Sequence, residues 1–118
     1  ALAHVAHNEA KTVANNILNE QKIKPSKVVP FVTFCQPQVA SAGLNEKSLK
    51  EQGIEYDVIK SFFKSSSKAK IKGDDGGFIK LMFDKKGVML GGAIIGQEAT
   101  ELIHIVVIAV EKRLTKDD

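Results

Sequence analysis

Apolar side chains recur at Leu2, Val5, Ala6, Ala10, Val13, Ala14, Ile17 and Leu18. That spacing of three and four lays one stripe along a helix over residues 2–20, with His4, Asn8, Lys11 and Asn15 on the other side. The polar stretch ending at Pro25 should stop the helix. Val28 to Phe34, "VVPFVTF", is β-branched and aromatic and predicts a short strand. Pro30 cannot donate to a ladder, so the strand should start there or have an edge there, and Pro37 ends it. Asn45 has the chemistry of an N-cap. Leu44 before it and Leu49 within the following short helix have the spacing of a hydrophobic staple, and Gly53 terminates that helix.

Tyr56–Phe63 predicts a second strand and Phe78–Phe83 a third. In the third, Ile79, Leu81 and Phe83 should share one face and Phe78, Lys80 and Met82 the other. "DKKG" at 84–87 has hairpin-turn chemistry and leads into a fourth strand, Val88–Ile95, antiparallel to the third. Glu98–Lys112 contains "LIHIVVIAV". Its length, the acids Glu98 and Glu101 at its start and the bases Lys112 and Arg113 at its end favour a helix. This helix is apolar almost all round and calls for cover on more than one side. A domain of this size has little to provide that cover; a subunit interface would. The pattern predicts an α+β fold, a mainly antiparallel sheet of four to five strands packed with helices. "KSSSKAKIK" at 64–72 is expected to be a surface loop, and no internal repeat is visible.

Composition narrows the picture modestly. A chain of 118 residues, 43% hydrophobic and 26% charged, is one ordinary globular domain. On folding, such a chain buries about 65% of its unfolded surface. A net charge of +3 is too diffuse to argue for nucleic acid. A single cysteine, Cys35, leaves no internal disulfide framework and no Cys-x-x-Cys site, and fits a reducing compartment. No apolar run reaches the ~18 residues of a membrane span. The first residue is Ala rather than Met, which suggests a piece of something longer.

The candidates for chemistry each have a plainer reading. "GGAIIGQE" at 91–98 puts glycines between a strand and a helix, where phosphates often bind. It lacks the Lys-Ser/Thr of a P-loop and the Gly-x-Gly-x-x-Gly of a dinucleotide turn, and Glu98 and Glu101 would oppose a phosphate. Small residues that admit a neighbouring element closely are the better account. Cys35 could be a nucleophile but has no histidine nearby in sequence, and reads as a small buried hydrophobe. His4 and His7 lack a second ligand pair, so no metal site is expected. His104 reads as a hydrogen-bonded buried or interfacial residue. Lys60, Lys64, Lys68, Lys70 and Lys72 with Phe62 and Phe63 could form a nucleic-acid face, but at least one phenylalanine should enter the core. The residues alone give no catalytic constellation.

Four segments in order carry a resemblance. "LAHVAHNEAK" at 2–11, "VPFVTFCQPQVASAGL" at 29–44, "SKAKIKGDDGGFIKLMFD" at 67–84 and "LGGAIIGQEATELIH" at 90–104 resemble the carboxy-terminal part of the dihydrolipoamide dehydrogenases. These are flavin-dependent pyridine nucleotide–disulfide oxidoreductases; mercuric and glutathione reductase-like members fit less well. Cys35 and Gln38 depart from the family's usual Thr and Glu in "F-T-x-P-E".

The resemblance implies the interface, or dimerisation, domain over residues 25–118. It also implies that residues 1–24 are the closing helix of a flavin-binding domain. Leu2, Ala3 and His4 match the segment that lies against the flavin, partly through backbone groups. The parent would use FAD and NAD to oxidise protein-bound dihydrolipoamide, as a cytoplasmic homodimer serving the lipoyl-bearing acyltransferase of a 2-oxo acid dehydrogenase complex. No nucleic-acid or membrane partner is implied. The family's catalytic His–Glu pair would follow Asp118, and its redox cysteines would lie in other domains. The fragment alone is therefore expected to bind no cofactor and to be inactive. The alternatives are another disulfide or mercuric reductase of the same family, or a free-standing binding module using the Lys60–Lys72 face.

Overall fold

The computed structural model describes residues 2–20 and 22–118. The chain runs α1 (Ala3–Leu18), β1 (Phe31–Thr33), β2 (Val39–Gly43), α2 (Glu46–Glu51) and β3 (Asp57–Phe62). A 3-10 turn (Phe63–Ser65), α3 (Ser67–Ile71), β4 (Phe78–Phe83), β5 (Met89–Ile95) and α4 (Ala99–Lys112) follow. Five strands form one wholly antiparallel sheet in the order β1-β2-β5-β4-β3. This agrees with the α+β expectation and adds a strand to the four legible in the sequence.

The added strand is β2, "VASAG", which alternates exposed and buried along its length. Alanine, serine and glycine have little strand preference of their own. What fixes β2 is its partners, β1 on one side and β5 on the other. The first strand is shorter than expected and starts at Phe31, immediately after Pro30. Residues 67–71, expected as loop, form a short helix capped where Ser66 Oγ accepts from Ala69 N. In β4 the strict two-face alternation fails at its end, because the register shifts between Met82 and Phe83. Both residues are consequently buried.

One face of the sheet carries the core. Ala40, Ala42 and Ile94 lie under Ala99, Ile103 and Val106 of α4. Gly92 is what lets α4 approach: a Cβ there would stand 2.8 Å from Leu81 Cδ2 and 3.1 Å from Val106 Cγ1. Close approach of backbone to a packed neighbour is the structural role expected of glycine in a strand. On the opposite face α2 covers one end of the sheet, with Leu49 and Met82 buried and Glu46 paired to Lys80. Helix α2 begins as expected, Asn45 Oδ1 accepting from Ser48 N at 2.9 Å. It ends before Gly53, which has φ +65°.

Helix α1 stands apart from this body. None of its residues is buried, and Val13, Ile17 and Leu18 are exposed. The molecule spans 52 × 31 × 26 Å with a radius of gyration of 16.4 Å. A compact chain of this length would have about 13 Å.

Candidate functional site

Helix α4 is fixed at both ends by contacts that local sequence does not announce. At its start Gln38 Oε1 accepts from Thr100 N at 3.2 Å and from Thr100 Oγ1 at 3.1 Å, reaching across from the segment before β2. Glu98 precedes the helix at φ 58°, in the left-handed region, and makes no side-chain cap. Its carboxylate instead pairs with Lys72 and with Lys68, the latter at 3.6 Å. Hydrogen bonding from Lys72 and the charge of Lys68 hold the Glu98 carboxyl below the usual carboxylate range. At its far end, Leu114 N donates to Ala109 O at 2.8 Å and Arg113 N to Val110 O at 3.2 Å. This is a Schellman ending, with Arg113 at φ 56° where glycine is usual.

The helix is buried on one stripe and bare on the other. Ala99, Ile103, Val106 and Ala109 face the sheet. Glu101, His104, Ile105 and Ile108 fall at intervals of three and four and are all exposed. Ile105 keeps 65% of its surface open and Ile108 58%. His104 therefore is not a buried histidine; it sits on this ridge. Two β-branched side chains on the outside of an otherwise well-anchored helix form a surface suited to another apolar surface.

The chain beyond α4 is tied back to the sheet. Met89 N donates to Leu114 O, and Lys116 N to Gly87 O, each at 2.9 Å. Asp57 Oδ1 accepts from Lys85 at 2.9 Å and Asp57 Oδ2 from Lys116 at 3.2 Å. Those two ammonium groups, Lys85 first, hold the Asp57 carboxyl below its ordinary range. The β4–β5 turn, the start of β3 and the exit segment thus meet on one carboxylate.

The other sequence-predicted sites are dispersed. Leu2 is the half-buried residue preceding α1, and its carbonyl accepts from Val5 N and Ala6 N at 3.1 Å. Ala3 and His4 are exposed, and among the described residues no side chain caps this helix start, which leaves backbone N–H groups of the first turn without a side-chain acceptor there. His4 Nε2 lies 3.2 Å from Pro30 O. His7 is exposed, and no group of three metal-ligating side chains occurs among the described residues.

Cys35 is exposed rather than buried, its thiol 3.1 Å from Pro37 O, because it sits in the turn between two short strands instead of on a core face. Three of the lysines have partners within the chain. Lys60 lies over the rings of Phe78 and Phe62, at 3.8 and 4.8 Å from their centroids. Lys68 and Lys72 are committed to Glu98, while Phe63 packs against the core and Phe62 stays exposed. No helix among the described residues is long and apolar enough to cross a membrane.

Comparison with known proteins agrees with this geometry. A dihydrolipoyl dehydrogenase of Rhizobium etli is 38% identical over 99% of the chain, which covers 25% of that protein. The Mycobacterium tuberculosis dihydrolipoyl dehydrogenase is 36% identical over 99%, covering 26% of it. A soluble pyridine nucleotide transhydrogenase of Pseudomonas putida is 32% identical over 89%, covering 23%. The chain therefore spans about a quarter of the length of the curated relatives it matches.

Among solved structures, LpdA of Mycobacterium tuberculosis superposes with a TM-score of 0.87 at 26% identity, over 97% of this chain and 25% of that one. The HOCl-induced flavoprotein disulfide reductase RclA of Escherichia coli also gives 0.87, at 24% identity over 97% of this chain and 27% of that one, a likeness of fold. Residues 29–118 match the family described as the pyridine nucleotide-disulphide oxidoreductase dimerisation domain. The chain belongs to that family.

Proposed function

We propose that this chain serves to bring two copies of a flavoprotein together, with the outer ridge of α4 as the contact. The observation that carries the reading is the exposed Ile105–Ile108 pair on a helix whose inner stripe and both ends are already satisfied. Burying an isoleucine fully is worth roughly 1.5–3 kcal/mol, and these two are more than half exposed. A stable interface needs about 800 Å² from each partner, more than one ridge supplies, so self-association of the isolated chain should be weak.

The parent we infer is a dihydrolipoamide dehydrogenase, oxidising protein-bound dihydrolipoamide with NAD through FAD and a cysteine pair. The names and identities of the relatives support it. The transhydrogenase among them keeps another member of the family as the alternative. In this reading residues 1–24 close a flavin-binding domain and residues 25–118 are the dimerisation domain. Ala1 and Gln21 fall outside the described residues. The family match beginning at residue 29 and the absence of any buried residue in α1 support that division.

Leu2, Ala3 and His4 fit a flavin in one respect. The uncapped start of α1 offers backbone N–H donors and carries no acid in its first turn, which suits a polarised ring carbonyl. When bound, the flavin would supply the electron transfer; these residues would only hold and orient it. The parent would be a cytoplasmic homodimer whose partner is the lipoyl-bearing acyltransferase of a 2-oxo acid dehydrogenase complex.

Two experiments test the proposal. In a Cys35→Ser background, Ile108→Cys treated with a short bifunctional thiol reagent should give covalent dimers, and the exposed Lys47→Cys on α2 should not. Equal cross-linking of both positions would remove α4 as the contact. The purified chain should also show no lipoamide turnover; activity above background would place a complete site within these residues.

A further inference from the structure

A concavity lies between the entry to β1, the end of β2 and the last turn of α4. Its volume is about 420 Å³, and Val28, Phe31, Leu44 and Val110 line it. Ligand clefts commonly measure roughly 300–1,000 Å³ and combine apolar walls with a few placed polar groups. Here the charged groups are both cations, Lys27 and Arg113. Among the described residues neither enters an ion pair. The adjacent acid, Glu111, accepts instead from Ser26 Oγ at 3.0 Å.

Arg113 adds an independent observation. It occupies the left-handed position of the Schellman ending, at φ 56°. A non-glycine residue held there costs about 1–2 kcal/mol. A cation is not needed at that position for the helix dipole, because Lys112 already provides one within the last turn. The strained backbone thus presents an unpaired guanidinium at the rim of an apolar slot.

We propose that this slot binds a medium-chain carboxylate, its hydrocarbon tail against Val28, Phe31, Leu44 and Val110 and its carboxylate between Lys27 and Arg113. Guanidinium groups pair well with carboxylates because their donors form a planar fork. The proposal is independent of the dimerisation reading, since it uses none of the outer ridge of α4.

Octanoate, 1-octanol and acetate titrated into the isotopically labelled chain, followed by amide NMR shifts, test it. Octanoate should bind saturably and shift Val28, Phe31, Leu44, Val110 and Arg113. 1-Octanol and acetate should each bind at least about tenfold more weakly, the one lacking the charge-assisted pair and the other the apolar contact. Arg113→Gly separates binding from folding: it should raise the thermal midpoint by relieving the backbone while weakening octanoate about tenfold. Octanol binding as tightly as octanoate, shifts confined to another surface, no saturation, or undiminished octanoate affinity in Arg113→Gly would each overturn the proposal.

Discussion

At the scale of single residues, the anchoring of α4 rests on side chains distant in sequence. Gln38 supplies the acceptor that residue 98, turned into the left-handed region, does not. Gln38→Ala should lower stability by about 1 kcal/mol, the usual loss for an N-terminal cap, measured by urea unfolding. Gln38→Glu should keep the acceptor and add a favourable charge of about 0.3–1 kcal/mol at the helix start. Glu98 trades backbone strain against two exposed lysine pairs, which are individually weak. Glu98→Gly should therefore be more stable than Glu98→Ala by about 1 kcal/mol, since both lose the pairs and only glycine relieves φ. The reverse order would show that the conformation at 98 carries no strain.

At the scale of elements, small residues decide how closely the layers meet. A Cβ at Gly91 would strike the backbone carbonyl of Leu44, and Gly91 is buried. Backbone cannot move aside as a side chain can, so Gly91→Ala should cost about 1–3 kcal/mol or prevent folding, read from the urea midpoint. This is the part Gly91 and Gly92 play in "GGAIIGQE": close packing against neighbouring backbone and side chains.

The same scale shows what the sequence disclosed. Helices α1, α2 and α4 and strands β3, β4 and β5 follow from apolar period, the Asn45 cap and the turn at 84–87. Strand β2 was hidden because Val-Ala-Ser-Ala-Gly has the right alternation in side chains too small to register as apolar. Helix α3 is five residues long, too short to show a period. The apolar excess of α4 was visible, but not which residues form its outer ridge, since that depends on where the sheet lies. Gln38 reaching Thr100 and Asp57 gathering Lys85 and Lys116 join positions far apart in the chain, and nothing local marks them.

At the scale of the whole molecule, the ion pairs that join elements set a pH dependence. Glu46, held low chiefly by its hydrogen bond from Lys80, joins Asp57 and Glu98 in lying below the ordinary carboxylate range. Depressed carboxylates stabilise the fold above their unfolded pKa of about 4 and lose that contribution as pH falls through the folded value. The urea midpoint should be flat near neutrality and fall below about pH 4. Asp57→Asn should flatten that acid limb; an unchanged limb would mean its lysine pairs do not persist in solution.

The proposed pairing of two copies through α4 also belongs to this scale. A dimer held by one ridge depends on concentration. Sedimentation equilibrium over a wide concentration range, on the unaltered chain and on Ile105→Glu/Ile108→Glu, tests it most directly. Both isoleucines are exposed in the single chain, so the variant should remain folded by circular dichroism. The account predicts a monomer–dimer equilibrium for the unaltered chain and a monomer throughout for the folded variant. An unaltered chain that stays monomeric at the highest concentration, or a variant that dimerises equally well, would contradict it.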